Sequence, residues 1–336
     1  MKKTFIPMVL SVLLVLSLAA CGEKSQEDVM SSLDEKLNKM SSYKADAKMT
    51  LETGKEPQIY EVEIWYKKPS YYRVLLKNAE KDQSQMILRN DDGVFVLTPA
   101  LNKSFRFQSE WPDNSSQPYL FESLARDILN DPESAFTAKE SDFVFETKTN
   151  YQNNKMLPRQ EITLNKKNLA PRQVKVMDQD GNALVKVEYS KFDWDADFDD
   201  NAFDMDRNMT SGQIDMPTMA EPKADSFEVL YPVNKPEGVK LVEEKEMKTA
   251  NGKRVVLTFG GEKSFTLIEE TASASESAAP VMMDGEPAHL HNAVAAITDT
   301  SISWTDEGVD YYLVSNDLTK EEMLEIARSV QGQAVK

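Results

Sequence analysis

One cysteine and two histidines stand in 336 residues, and each scarcity removes a class of function. A single Cys cannot build a disulfide scaffold or a cysteine-rich zinc site. The two His, at 289 and 291, leave little for acid–base chemistry at neutral pH. Lys and Arg number 39 against 56 Asp and Glu, a formal charge of −17. Phosphate neutralisation needs the opposite surplus, which excludes a generic nucleic-acid-binding protein. Gly-x-Ser-x-Gly, the phosphate loop and His-Glu-x-x-His are all missing. With no convergent nucleophile and base, the sequence reads as a non-enzyme with no catalytic residues and no cofactor. Its 40% hydrophobic and 28% charged residues are those of a folded soluble protein, which excludes wholesale disorder and a polytopic membrane protein.

What is present begins at the N-terminus. Lys2 and Lys3 precede an apolar run from Phe5 to Ala20, shorter than the roughly 18–20 residues that span a bilayer. A basic start, an apolar core and small residues describe an export signal. The run ends Leu18-Ala19-Ala20-Cys21-Gly22, which resembles a bacterial lipobox. That resemblance implies cleavage before Cys21 and a diacylglycerol on its sulfur, so residues 1–20 are expected to be a lipoprotein signal peptide. The expected location is the extracytoplasmic face of the cell membrane. Losing Lys2 and Lys3 leaves the tethered body more negative than −17, and an acidic body stands off an anionic membrane surface.

Ser25 to Met40 carries Val29, Met30, Leu33, Leu37 and Met40 at helical spacing, with Ser25 and Asp28 as a capping pair. From Tyr43 the period becomes two. Tyr43 to Leu51, Tyr60 to Tyr66, Tyr72 to Leu76, Met86 to Leu88, Val94 to Leu97 and Phe105 to Phe107 read as an antiparallel meander. Asn90-Asp91-Asp92-Gly93 supplies one hairpin turn. A helix over Pro118–Asn130 interrupts, then strands resume at Phe143–Thr147, Gln160–Leu164, Arg172–Met177 and Ala183–Tyr189. Residues 206–225 are rich in Met and Pro and read as a linker. Beyond it, strands are expected at Phe227–Pro232, Lys240–Met247, Arg254–Phe259, Ser264–Glu270, Ile302–Trp304 and Val309–Val314. Thr271–Pro287, rich in Ala, Ser and Glu, reads as a mobile loop. A last helix runs over Glu321–Val330 with Thr319 and Glu322 as its capping box.

Three stretches carry a family likeness. Ile64-Trp65-Tyr66-Lys67-Lys68-Pro69-x-x-Tyr72-Arg73, Asn90 through Pro99, and Leu169-Ala170-Pro171-Arg172-Gln173-Val174 with Asp180-Gly181-Asn182 together resemble the LolA/LolB lipoprotein-localisation superfamily. The tail, with Trp304, Gly308-x-x-Tyr311 and Leu318 to Ser329, resembles a small domain of membrane-attached, Gram-positive, sporulation-associated lipoproteins. The whole is similar to the YdcC-type lipoproteins, and to periplasmic regulators of anti-sigma factors. The resemblance implies a mainly β fold with α: an unclosed antiparallel half-barrel with covering helices over 21–205, and a small α+β domain over 226–336. It also implies a concave apolar face that holds acyl chains in the soluble carriers. Lipidation at Cys21 departs from those carriers and argues against a free shuttle.

The expected ligand-binding face comprises Tyr60, Val62, Ile64, Tyr72, Val74, Met86, Leu88, Phe105 and Phe107, with Leu120, Leu124 and Ile128 from the covering helix; an ordinary core is the competing reading. Expected partners are the membrane, a lipid or lipoprotein acyl chain, or a membrane protein. Three patterns mimic other chemistry. His289-Leu290-His291 beside Met282 and Met283 suggests copper or zinc but lacks a carboxylate or Cys, so it reads as a solvated loop. Asp193-x-Asp195-x-Asp197 with Asp204 mimics a calcium loop, yet Phe198 stands where that loop needs Gly. Ser41-x-x-Lys44 matches a penicillin-binding motif in letters alone. No metal is expected.

Overall fold

In a computed structural model, residues 24–52, 57–79, 84–113, 116–151, 157–215, 227–275, 277–290 and 293–332 are described. The expected export signal, Cys21, His291 and the 216–225 part of the segment read as a linker lie outside them.

Helix α1 (Gln26–Lys39) opens the described chain, capped by Ser25 and Asp28 in the expected box. Then follow β1 (Ser42–Leu51), β2 (Gln58–Lys67), β3 (Tyr71–Asn78), β4 (Ser84–Asn90), β5 (Gly93–Thr98) and β6 (Lys103–Phe107). Helix α2 (Phe121–Asn130) precedes β7 (Ala135–Ala138), β8 (Asp142–Lys148), β9 (Arg159–Asn165), β10 (Pro171–Met177) and β11 (Ala183–Trp194). Next come helix α3 (Met205–Asp215), β12 (Tyr231–Pro232), β13 (Lys240–Thr249), β14 (Gly252–Gly260) and β15 (Phe265–Thr271). The chain ends with β16 (Val281–Met283), β17 (Glu286–His289), β18 (Val294–Ile297), β19 (Ser301–Asp306), β20 (Val309–Val314), helix α4 (Lys320–Arg328) and β21 (Val330–Gly332).

Alternation builds the larger sheet. Its order is β16-β6-β5-β4-β3-β2-β1-β11-β10-β9-β8-β7, so two meanders run outward from the central β1–β11 pair. The edges, β16 and β7, do not pair with each other, and the sheet stays open. On its concave face Tyr43, Ala45, Ala47, Met49 and Leu51 of β1 align with Tyr60, Val62, Ile64 and Tyr66 of β2. Helices α1 and α2 lay Val29, Leu33, Phe121, Leu124 and Ile128 onto one end of that face. Each such side chain, fully withdrawn from water, contributes roughly 1.5–3 kcal/mol before ordering costs. At the β4–β5 turn Gly93 has φ +141°, and a Cβ there would meet the Phe107 carbonyl oxygen at 3.1 Å; glycine fits that turn for both reasons.

The smaller sheet, ordered β13-β14-β15-β20-β19-β18-β17, folds around its own core of Val255, Leu257, Leu267, Ile302 and Leu313 under Met323 and Ile326 of α4. Thr319 and Glu322 form the expected capping box. The fold is mainly β with four helices among the described residues.

Two expectations fail. The segment read as a linker is helical as far as Asp215, because it has a surface to cover. Phe203 and Met209 bury against Met86, Leu88, Phe95 and Leu97 on the convex side of the large sheet, and Arg73 Nε donates to Asn208 Oδ1 at 2.7 Å. The stretch read as a mobile loop contains β16, which pairs in parallel with β6, and β17. Backbone pairing to an open sheet edge holds it, and composition gives no sign of that edge.

Candidate functional site

The concave face has two ends, distinguished by what covers them. Under α1 and α2 it is aromatic. Tyr43 stacks on Phe192 at 4.9 Å between ring centres, Tyr66 meets Tyr72 at 5.0 Å, and Tyr72 meets Trp111 at 5.7 Å. Tyr43 Oη donates to Glu122 Oε2 at 2.8 Å. Burial, opposed only in part by that bond, pushes the Glu122 carboxyl up to about 7. Nearby, Asp127 accepts from Ser116 Oγ and Gln160 Nε2, each at 2.6 Å, and burial raises it to about 6. This end is a closed core.

At the other end the cover is the β17–β18 hairpin of the smaller sheet. Leu290, part of the smaller sheet's core, lines a cavity together with Met49 and Leu51 of β1, Val176 of β10 and Val185 of β11. Val294 and Ala296 join the large sheet's own core, facing Val96, Phe105 and Phe107. His289 Nε2 lies 2.7 Å from Tyr119 Oη. Burial, then the positive charge of Arg328, pushes its imidazole down to about 4, so at neutral pH it is uncharged. Its carbonyl accepts from Arg328 Nε and Nη2 at 3.2 and 2.8 Å. Gln85 Oε1 accepts the Val294 N–H at 2.7 Å, and Lys103 Nζ reaches both Asp310 oxygens at 2.8 and 2.6 Å. Two cavities of about 60 and 90 Å³ flank the hairpin, sharing Met49, His289 and Leu290. Each has room for a few waters, and a third cavity of about 190 Å³ lies between Val294–Ala296 and Val96, Phe105 and Phe107; all three are below the roughly 300–1,000 Å³ of a ligand pocket.

Of the residues expected on this face, Val62, Ile64, Tyr72, Val74, Phe107, Leu120, Leu124 and Ile128 are buried in the concave core, with Phe105 packed against it. Tyr60 borders the 60 Å³ cavity. Met86 and Leu88 are misplaced by one residue of register. Ile87 faces Val74 on the concave side, whereas Met86 and Leu88 point to the convex cluster. Both faces of β4 are covered, so its unbroken apolar run carries no sign of which side turns inward.

His289 is half-buried at the end of β17, against the expectation of a solvated loop. Gln85, Tyr119, Leu290, Val294 and Arg328 form the mouth without having been singled out. The run Ala293-Val294-Ala295-Ala296 did carry a signal, an apolar strand covered on both sides. Elsewhere, Asp193 pairs with Lys191 at 2.8 Å and Asp195 accepts from Ser41 Oγ, while Lys44 pairs with Glu63 at 3.2 Å; neither letter pattern assembles a site. Among the described residues no group of three or more His, Cys, Asp or Glu could hold a metal ion, and no helix is long and apolar enough to cross a membrane.

Comparison with known proteins follows this geometry. Over 335 residues the chain is 57% identical to the sporulation protein YdcC of Bacillus subtilis (strain 168), covering 100% of this chain and 99% of that one. Among solved structures it is similar to the MucA/MucB complex of Pseudomonas aeruginosa, at 13% identity, 91% of this chain, 98% of that one and a TM-score of 0.35. It is also similar to a LolA superfamily protein of Nitrosomonas europaea, at 12% identity, 55% of this chain, 100% of that one and a TM-score of 0.30. Residues 1–203 match the family described as sporulation protein YdcC-like. The chain belongs to the YdcC-like family of sporulation proteins.

Proposed function

We propose that the protein is a non-enzymatic lipoprotein, tethered through Cys21 to the outer face of the cell membrane, that binds an apolar segment at the hairpin-covered mouth of its half-barrel. Acyl chains and apolar peptides both fit that description. The observation that supports it is the difference between the two covers. The helix-covered end is a packed aromatic core, whereas the mouth is closed by a hairpin from another sheet, with a cavity on either side. A segment entering there would meet Met49, Leu51, Val176 and Val185 once Leu290 has left. Each methylene buried contributes about 0.8 kcal/mol before ordering costs.

A second reading, a regulatory protein that docks a membrane partner through its outer surface, is favoured by the small size of both cavities. The two are separated by mass spectrometry of protein purified from its host and by titration with a fluorescent fatty acid and with apolar peptides. Co-purified lipid, or saturable uptake of either probe, supports the first. Absence of both, with the protein folded, overturns it.

A further inference from the structure

The covering stretch is held as a polypeptide ligand would be held. Ser275 N–H donates to the Leu101 carbonyl at 2.8 Å, and Asn102 Nδ2 returns a bond to the Ser275 carbonyl at 2.9 Å. Ser104 Oγ donates to the Ala278 carbonyl at 2.7 Å. β16 then adds a parallel strand to the open edge at β6, and Gln85 takes the Val294 N–H. These are contacts to main-chain groups, the mode by which sheet edges capture extended peptides. An acyl chain has no such groups. Between them, Val294 and Ala296 join the large sheet's core, and Leu290 borders both flanking cavities with Met49. The half-barrel thus presents donors and acceptors for a backbone along the rim and room for modest apolar side chains inside it.

We infer that the 275–296 stretch is a built-in occupant of the mouth, displaced when an extended, apolar polypeptide segment of a partner protein binds there. The inference rests on reading the mouth as a binding surface, and narrows its ligand to polypeptide. Two features make the occupant removable. Its latch to the half-barrel is peripheral: Tyr119 against His289, and Gln85 on the Val294 N–H. The hairpin also belongs mostly to the smaller sheet: Leu290, Ala293, Ala295 and Ile297 join its core around Leu257, Leu267 and Leu313, and only Val294 and Ala296 join that of the large sheet. The stretch already occupies the β6 edge and the Gln85 acceptor, so binding and covering exclude each other there. A covalently linked competitor acts at an effective concentration in the millimolar range, and the free mouth is correspondingly rare.

The test uses the full chain with two probes, a fluorescein-labelled peptide of the 275–297 sequence and a fluorescent sixteen-carbon fatty acid. Leu290→Asp places a charge against Met49 and Leu51 and unseats the hairpin. Tyr119→Phe removes the bond from the half-barrel to His289 and puts no charge in either core, covering the case in which Leu290→Asp fails to fold; circular dichroism establishes folding of each. The expected result is peptide binding at least tenfold tighter in a folded variant than in wild type, competed by unlabelled peptide, with no fatty-acid uptake. Equal peptide binding by wild type and variants overturns the displacement. Fatty-acid uptake by a folded variant that ignores the peptide overturns the polypeptide assignment and leaves the mouth as a binding surface. If neither probe binds a folded variant, the mouth is not a binding surface and both readings fall.

Discussion

The two ends of one concave face are covered in two ways, and the contrast separates structure from candidate function. At the helix-covered end the lid comes from nearby in the chain, presents Phe121, Leu124 and Ile128, and meets a wall of Tyr and Trp. At the mouth the cover comes from a sheet more than two hundred residues further on, presents Leu290, Val294 and Ala296, and leaves a cavity on each side. Dense aromatic packing resists opening, because truncation loses both transfer energy and contacts. A cover made of small side chains and a few polar clasps has less to lose.

The largest expected effect tests the tight end. Phe121→Ala removes a fully buried ring packed edge-on to Trp194 at 4.9 Å and should cost about 3–5 kcal/mol, seen as a lower urea midpoint for global unfolding. Leu290→Ala is expected to cost less, about 2–3 kcal/mol, and to act locally. Hydrogen exchange should accelerate at β17 and β18 while β1, β2 and β11 keep their protection. A uniform loss of protection across both sheets would show that the two ends form one cooperative unit, and would erase the contrast.

How much of this was legible depends on what each signal measures. Helix caps are local, so Ser25 with Asp28 and Thr319 with Glu322 marked α1 and α4 before any fold was known. Alternation is local too, and it gave the meander on both sides of α2. It failed at Met86-Ile87-Leu88, where α3 covers the convex side and both faces are apolar. Helix α3 itself was hidden because part of its evidence lies elsewhere in the chain. Gly212 is packed so closely that a Cβ would stand 2.6 Å from Pro99 Cγ. β16 is three residues held by the β6 edge, and His289 is held by Tyr119 and Arg328; each depends on partners about forty or more residues away. The wall of the site was therefore readable, and its cover was not.

The ends should also answer acid in opposite directions. Glu122 and Asp127, raised by burial to about 7 and about 6, bind protons more tightly when folded. Their contribution is fully present below the unfolded carboxyl range and is lost as pH rises through 6 to 7. His289 is lowered to about 4, so the released, exposed ring takes up protons first, and docking weakens as pH falls from about 6.5 toward 4. Arg328 and Tyr119 face it directly, and Asp306 and Glu307 border the adjoining cavity. Glu122→Gln, which keeps an acceptor for Tyr43, should stabilise the helix-covered end by on the order of 1–3 kcal/mol at pH 8 and have little effect at pH 4. Protection at β18, measured against the intrinsic exchange rate at each pH, should meanwhile fall between pH 6.5 and 4.5 in wild type and variant alike. A hairpin indifferent to pH over that range would mean that His289 does not report on docking.

The smallest effect concerns the rim. Lys103 Nζ touches both oxygens of Asp310, which Thr305 Oγ1 also supports at 2.6 Å, and the pair is partly open to water, at 17% and 36% side-chain exposure. Partly exposed pairs contribute about 0–1 kcal/mol and weaken with salt, so Lys103→Met should speed exchange at β18 by about threefold or less at low ionic strength and not measurably in 0.5 M salt. Asp310→Asn in the Lys103→Met background should add nothing further if the pair acts as a unit. An effect as large as that of Leu290→Ala would move the hold on the mouth from its apolar contacts to its charged rim, and the soft end of the half-barrel would then be governed by salt.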